Sequence, residues 1–261
     1  MPLNWTDVSS LSINTLLLLE RVQISWFPAF HPPPAEFATV LRAHPALDWF
    51  LRHKCPEISG WLDNLLAQQP DDVPDLRQAE IAMLRRFEDL LVYVYDPSIY
   101  DAQSFLQWDD RELTDLVDFA GKTVIDVGSG TGRLALAVGA ARTVFAVEPV
   151  ENLRRYILEK AEKLGLKNIY TVDGLITAIP FPDGFADVTM GGHVFGDDPA
   201  AERAELERVT APGGLIILCP GNNDRDDAKH DFLVASGYAW SRFEEPGSAM
   251  VRKYWKVKGP S

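Results

Sequence analysis

Val124-Ile125-Asp126-Val127-Gly128-Ser129-Gly130-Thr131-Gly132-Arg133 joins a run of strand-forming residues to three glycines at alternate positions. A helical pattern follows in Leu134, Leu136, Ala137 and Val138. The segment reads as a buried parallel strand, a tight turn and a helix N-terminus. Glycines let a ligand approach backbone where a Cβ would collide, and a helix start leaves unpaired N–H groups aimed at it. The spacing narrows the ligand. A dinucleotide fingerprint, G-x-G-x-x-G, requires glycine at position 133, where Arg133 stands. Taken alone, the stretch is also compatible with an ordinary α/β turn.

Outward from it, strand and helix patterns alternate. Strands are expected at Thr123–Val127, Thr143–Val147, 168–172, 185–190 and 215–219, with helices at 132–141, 152–164 and 200–209. Gly165 closes the second of these helices as a C-terminal cap. Such alternation indicates a parallel sheet with helices on both faces. The end of the chain differs. A helix through Phe232 and Val234 precedes strand-like runs at Ala239–Glu244 and 249–257, with Pro246-Gly247-Ser248 between them. This is a hairpin, so the last strand should run antiparallel to its neighbours.

Before about residue 115 the pattern is helical and punctuated by proline. Ser9-Ser10 can cap a helix reaching Trp26, and Pro28 and Pro32-Pro33-Pro34 break it. Shorter helices are expected at 35–43, 46–54 and 57–68, and a long one from Asp75 to Tyr95 that Asp96-Pro97 stops. Five of the seven tryptophans, Trp5, Trp26, Trp49, Trp61 and Trp108, lie in this part and are expected in its helical core. Two domains follow: a helical extension at 1–115 and an α/β domain at 116–261.

With 261 residues, 46% hydrophobic and 24% charged, the chain has the composition of a soluble globular protein. The net charge of −13 is concentrated in residues 1–115, which hold 8 basic against 18 acidic residues, while 116–261 hold 17 against 20. Neither part has the basic footprint that a phosphate backbone requires, so nucleic acid and anionic membranes are not expected partners. Cys55 and Cys219 stand far apart with no ligand-type spacing, which points to buried free thiols, no metal site and a reducing cytoplasm. The Leu16–Leu19 run is too short for a signal peptide and has no basic leader. No stretch approaches the ~18 apolar residues of a membrane span.

In an open α/β sheet, ligands bind beyond the carboxyl ends of the strands. The residues expected there are Asp126-Val127-Gly128, Glu148-Pro149, Asp173-Gly174 and Gly191-Gly192-His193. Three of the four ends carry a carboxylate. Such a ring suits a ligand with an amine, a ribose diol and an exocyclic amine, all hydrogen-bond donors. It suits a nucleoside triphosphate poorly, because no G-x-x-x-x-G-K-[ST] is present. At any single position the carboxylate also fits a helix N-cap.

Residues 121–220 resemble the core of the class I S-adenosylmethionine-dependent methyltransferases, specifically their type 11 small-molecule group. Asp126-Val127-Gly128-Ser129-Gly130-Thr131-Gly132 resembles motif I, Ala146-Val147-Glu148-Pro149 the end of strand two, and Val172-Asp173-Gly174 that of strand three. Ile179-Pro180-Phe181-Pro182-Asp183-Gly184-Phe185-Ala186-Asp187-Val188 and Glu207-Arg208-Val209-Thr210-Ala211-Pro212-Gly213-Gly214 are similar to two further blocks. The resemblance implies a Rossmann-like seven-stranded sheet with an antiparallel last strand, beside the all-helical N-terminal extension.

The resemblance also implies roles. Gly128, Ser129, Gly130, Thr131 and Gly132 would line the methionine part of S-adenosylmethionine, with Asp126 at its amino group. Glu148 would accept both ribose hydroxyls and Pro149 would flank the adenine. Asp173 would take the adenine amine, with the N–H of Gly174 or Leu175 at a ring nitrogen. Gly191, Gly192 and His193 would border the methionine moiety. Each buried carboxylate–donor bond is worth roughly 1.5–3 kcal/mol.

Methyl transfer from a sulfonium needs no enzyme nucleophile, and holding the reactants in line can supply roughly 7–11 kcal/mol. An N or O acceptor still needs a base. His193 is the candidate, with a pocket-wall role as its alternative. Asp197 and Asp198 are others, although Asp-Asp-Pro at 197–199 suits a helix start. Tyr100 could meet the sulfonium by cation–π contact. Residues 1–115 match no family pattern and would form a lid, an acceptor wall or a homodimer element. The expected function is methyl transfer to a small molecule, with a non-catalytic cofactor-binding or assembly protein of the same fold as the alternative.

Overall fold

The computed structural model describes residues 7–67, 75–247 and 250–260. The chain divides into two compact units, Met1–Tyr100 and Asp101–Ser261.

The second unit is built on a seven-stranded sheet. Its strands are β1 (Thr123–Val127), β2 (Thr143–Val147), β3 (Ile169–Val172), β4 (Ala186–Gly191), β5 (Thr210–Asn223), β6 (Ala239–Glu244) and β7 (Met250–Val257), in the order β3-β2-β1-β4-β5-β7-β6. From β1 the chain winds outward through β2 and β3, then returns to lay β4 on the other edge of β1. The order therefore reverses at the end of β1, where a doubly wound sheet opens a ligand crevice. β7 runs antiparallel to both β5 and β6, as the hairpin pattern predicts. Ser248 and Ala249 of that pattern lie outside the described residues.

Strand alternation divides the core between the two faces of the sheet. Val124, Val188, Met190 and Ile217 point to one face and pack with Leu134, Ala135, Ile157 and Ala161 of the helices Arg133–Ala137 and Glu151–Lys163. Ile125, Val127, Ile216 and Leu218 point to the other, against Leu206, Val209 and Leu233 of Pro199–Val209 and Ala228–Ala235. All five residues of β1 are buried, which is why Val124–Val127 reads as an apolar run interrupted only by Asp126.

The helix Glu151–Lys163 places Leu153, Ile157 and Ala161 on one stripe, with Glu151 in its first turn and Lys160 and Lys163 in its last, matching the helix dipole. Gly165 ends it at φ +70, and the Leu166 N–H reaches the Ala161 carbonyl at 2.9 Å. The helix after the glycine loop stops at Ala137, earlier than its pattern suggests. Gly139 abuts Leu166 there, and turn bonds replace the helical ladder. β5 is longer than expected: Pro212-Gly213-Gly214 is absorbed as a register shift against β4.

The first unit is helical among its described residues. Its core stacks Phe27 on Phe87 at 3.9 Å and sets Phe37 edge-on to Phe87 at 6.0 Å. The expected helix to Trp26 is instead 3₁₀ turns at Val8–Ser10 and Ile13–Leu18, then a helix at Arg21–Ser25. Asp7, Ser12 and the Glu20–Gln23 pair each cap a separate start, so local side-chain bonds divide the segment. The expected helix from Asp75 to Tyr95 breaks at Phe87 into Leu76–Arg86 and Glu88–Tyr95, where the stacked ring holds the chain off helical geometry.

The tryptophans do not share one core. Trp61 packs on the first unit's core, Trp108 is buried in the second unit, and Trp26 and Trp49 are exposed, Trp49 stacked on His53 at 4.6 Å. Trp5 lies outside the described residues. Both cysteines are buried free thiols.

Candidate functional site

The loop after β1 closes on itself. The N–H groups of Gly128 and Ser129 donate to the Val147 carbonyl at 2.8 and 3.3 Å, and the Gly132 N–H donates to the Ser129 carbonyl at 2.7 Å. Gly128, Gly130 and Gly132 all take left-handed backbone, at φ +65, +54 and +85. Their surroundings differ. A Cβ at Gly128 would lie 2.4 Å from Cγ2 of Val194, and one at Gly132 would lie 3.0 Å from Ile157. A Cβ at Gly130 would meet nothing within 4 Å. Two of the three glycines therefore serve packing, and Gly130 alone borders open space.

Two buried carboxylates support this loop. Asp126, 1% exposed, accepts the Ala135 N–H at Oδ2 (3.0 Å), tying the strand end to the helix that follows. Burial pushes its carboxyl up to about 7, with the nearby charge of Glu148 acting in the same direction. Glu148, 5% exposed at the end of β2, accepts the Gly130 N–H at 2.9 Å and the Val150 N–H at 3.0 Å. Asp126 Oδ1 and Thr131 Oγ1 are buried without a hydrogen-bond partner among the described residues. A buried unmet polar atom costs about 1–3 kcal/mol. A ligand carrying an ammonium and hydroxyl donors would satisfy both.

At the neighbouring strand ends, Asp173 is exposed and lies 3.5 Å from the Arg154 guanidinium. Arg154 also donates to the carbonyls of Glu148 and Pro149 at 2.7 and 2.8 Å, holding the ends of β2 and β3 together. Gly174 is required by packing, since a Cβ there would sit 2.7 Å from Pro180 and 2.8 Å from Val147. The Leu175 N–H faces the Ala178 carbonyl at 3.4 Å. Gly191 and Gly192 pack against Val194, the Val127 carbonyl and the Cys219 carbonyl.

His193 ends this ring at the tip of β4, and its N–H donates to the Pro220 carbonyl at 2.8 Å. Its Nε2 lies 2.9 Å from Oε1 of Glu245. Asp198, one of the two alternative bases, instead caps the helix Pro199–Val209 through the Ala201 N–H at 3.1 Å. Burial pushes the Cys219 thiol up to about 12, so it stays protonated at neutral pH. Tyr100 belongs to the first unit, where its ring meets Tyr93 edge-on at 5.2 Å.

The segment 101–112 is strapped across the loop at three points. Asp101 accepts from Lys160 Nζ at 2.8 Å, and the same ammonium donates to the Thr131 carbonyl at 3.2 Å. Arg133 donates to the Leu106 and Trp108 carbonyls at 2.6 and 2.5 Å, pairs with Asp110, and lies 4.2 Å over the Trp108 ring. Lys253 of β7 grips Glu112 at 2.8 Å. Between these anchors Phe105 stands edge-on to His193, with ring centroids 6.1 Å apart. The position where a dinucleotide fold needs glycine is thus an arginine that clamps the strap. Glu245 and Lys253 escape a sequence reading because each acts from an element distant in the chain, and Arg154 because no motif marks it.

A family model described as "Methyltransferase domain" matches residues 125–218. A demethylmenaquinone methyltransferase of Geobacillus stearothermophilus is 30% identical over 154 residues, covering 54% of this chain and 64% of the relative. Another, from Geobacillus kaustophilus, is 31% identical, covering 46% of this chain and 54% of the relative. The chain thus spans less than two thirds of these two relatives. An uncharacterized methyltransferase of Geobacillus thermodenitrificans is 31% identical over 148 residues, covering 52% of this chain and 67% of the relative. Among solved structures, a SAM-dependent methyltransferase from Aquifex aeolicus is 22% identical with a TM-score of 0.47, covering 62% of this chain and 99% of that one.

Proposed function

Because this chain belongs to the class I S-adenosylmethionine-dependent methyltransferases, we propose that it transfers a methyl group from S-adenosylmethionine to a small-molecule acceptor. The observation that carries the reading is the pair of buried carboxylates, Asp126 and Glu148, around the open space at Gly130. Asp126, with the backbone of Gly128, Ser129, Gly130, Thr131 and Gly132, would hold the amino-acid end. Glu148 would take the ribose hydroxyls, Pro149 would flank the adenine, and Asp173, Gly174 and Leu175 would meet its polar edge. Gly191, Gly192 and His193 would bound the methionine moiety.

When bound, S-adenosylmethionine supplies a methyl carbon activated by a sulfonium, whose carbon–sulfur electron pair returns to sulfur. The chain's own contribution is to orient the acceptor, exclude water and receive a proton, with His193 as the base. No described helix is long and apolar enough to cross a membrane. With two free thiols and a charge of −13, the reading extends to a cytoplasmic enzyme without a nucleic-acid partner.

Calorimetry tests the assignment. S-adenosylmethionine and S-adenosylhomocysteine should bind, with NAD and ATP much weaker, and tighter NAD binding would sink it. Demethylmenaquinone, named for two of the relatives, is the first acceptor to assay.

A further inference from the structure

His193 has φ 55, a left-handed conformation that costs a non-glycine residue energy and that the surroundings must enforce. Its backbone is held by Pro220 of β5, and its ring by Glu245, which follows β6 directly. The His193 side chain is 37% exposed and that of Glu245 only 5%. Among the described residues the imidazole is the only hydrogen-bond partner of the Glu245 side chain. The buried carboxylate thus sits behind a ring that is itself partly exposed.

We propose that Glu245 is a positioning residue that holds His193 as proton acceptor, and that the methyl acceptor carries an acidic hydroxyl, as on a phenol or an enol. This rests on the methyltransferase reading above. A carboxylate accepts hydrogen bonds and cannot donate, so Nε2 carries the proton of this contact, and in the neutral imidazole the lone pair is then on Nδ1. Nδ1 has no hydrogen-bond partner among the described residues. In the transfer the acceptor O–H bond breaks and its proton passes to Nδ1. The oxygen electron pair, directly or through a conjugated carbon, forms the bond to the methyl group. The positive charge that leaves sulfur then rests on the imidazolium, beside the Glu245 carboxylate.

A phenol or enol must lose its O–H proton as the methyl group arrives, whereas an amine attacks as its free base and needs no such dyad. Phe105, edge-on to the imidazole, offers an apolar wall to a ring-bearing acceptor. The other charged groups at this corner are engaged: Lys253 with Glu112, and Arg133 with the strap carbonyls and Asp110.

Long-range ¹H–¹⁵N spectra of the full chain, free of ligand at pH 8, read the tautomer directly. Wild type should show His193 with Nε2 protonated and Nδ1 bare. Glu245→Leu should mix the two tautomers, and Glu245→Gln, whose carbonyl can still accept, should partly restore the first. Radiolabelled S-adenosylmethionine offered with 1-naphthol, thiophenol or cyclohexylamine should label 1-naphthol, and Glu245→Leu should lower kcat at least about tenfold. An Nδ1–H tautomer in wild type, or no label on 1-naphthol, would overturn the proposal. Absence of S-adenosylhomocysteine binding in calorimetry would instead overturn the methyltransferase reading, while the tautomer result would stand.

Discussion

The Glu148 carboxylate accepts the Gly130 N–H at 2.9 Å, so the acidic end of β2 and the open glycine of the β1 loop form one unit. The same residue that resembles a ribose acceptor also sets the loop's position. Glu148→Ala should therefore weaken S-adenosylhomocysteine binding by about 10- to 100-fold, as expected for loss of a buried charge-assisted bond. Titration calorimetry measures this, and an unchanged affinity would place the ribose elsewhere.

Asp126 provides a pH signature. Its carboxyl is raised to about 7 from an ordinary value near 3.8, chiefly by burial, so the folded chain holds this proton more tightly than the unfolded chain does. Its contribution to stability is present at low pH and is lost as pH rises from about 4 through 7. A ligand ammonium at Asp126 favours the carboxylate, so binding should release a proton and tighten over the same range. Calorimetry at pH 6 in buffers of different ionisation enthalpy should detect the release in wild type. If Asp126→Asn releases it equally, the proton has another source.

The glycines should separate stability from binding. Gly128→Ala drives a Cβ into Val194, whereas Gly130→Ala meets no atom and bears only the left-handed backbone cost, about 1–2 kcal/mol. Thermal melts should therefore rank Gly128→Ala well below Gly130→Ala. Gly130→Val should keep the fold and lose S-adenosylhomocysteine. Retained binding would mean that the space beside Gly130 is not the ligand's.

Arg133→Met removes the clamp on Leu106, Trp108 and Asp110. Urea unfolding should show a loss of roughly 2 kcal/mol, and limited proteolysis should cut within 101–112 faster than in wild type. An unaltered cleavage pattern would show that Lys160 and Lys253 suffice to hold the strap.

No salt-dependent binding of duplex or single-stranded nucleic acid is expected near micromolar protein, because a chain of charge −13 repels the phosphate backbone. Fluorescence anisotropy at two salt concentrations would reveal a slope if a local basic surface overrides the total.

The second unit was legible in the sequence because its signals are local. The apolar run Val124–Val127, the glycines at 128, 130 and 132, and the stripe Leu153–Ile157–Ala161 each act within a few residues of themselves. The same locality marked Asp126, Glu148 and Asp173 at the ends of their strands. The tertiary structure decided whatever depends on residues far apart in the chain. The ring of Phe87 stacks on Phe27, sixty residues away, and breaks a helix that periodicity would continue. The glycines look alike in sequence, yet Val194 and Ile157 turn two of them into packing positions. Glu245 carries no motif and becomes His193's partner only because β7 brings the hairpin back beside β5. Periodicity encodes which face a residue presents, whereas its partner across the sheet is chosen by the packing of the whole unit.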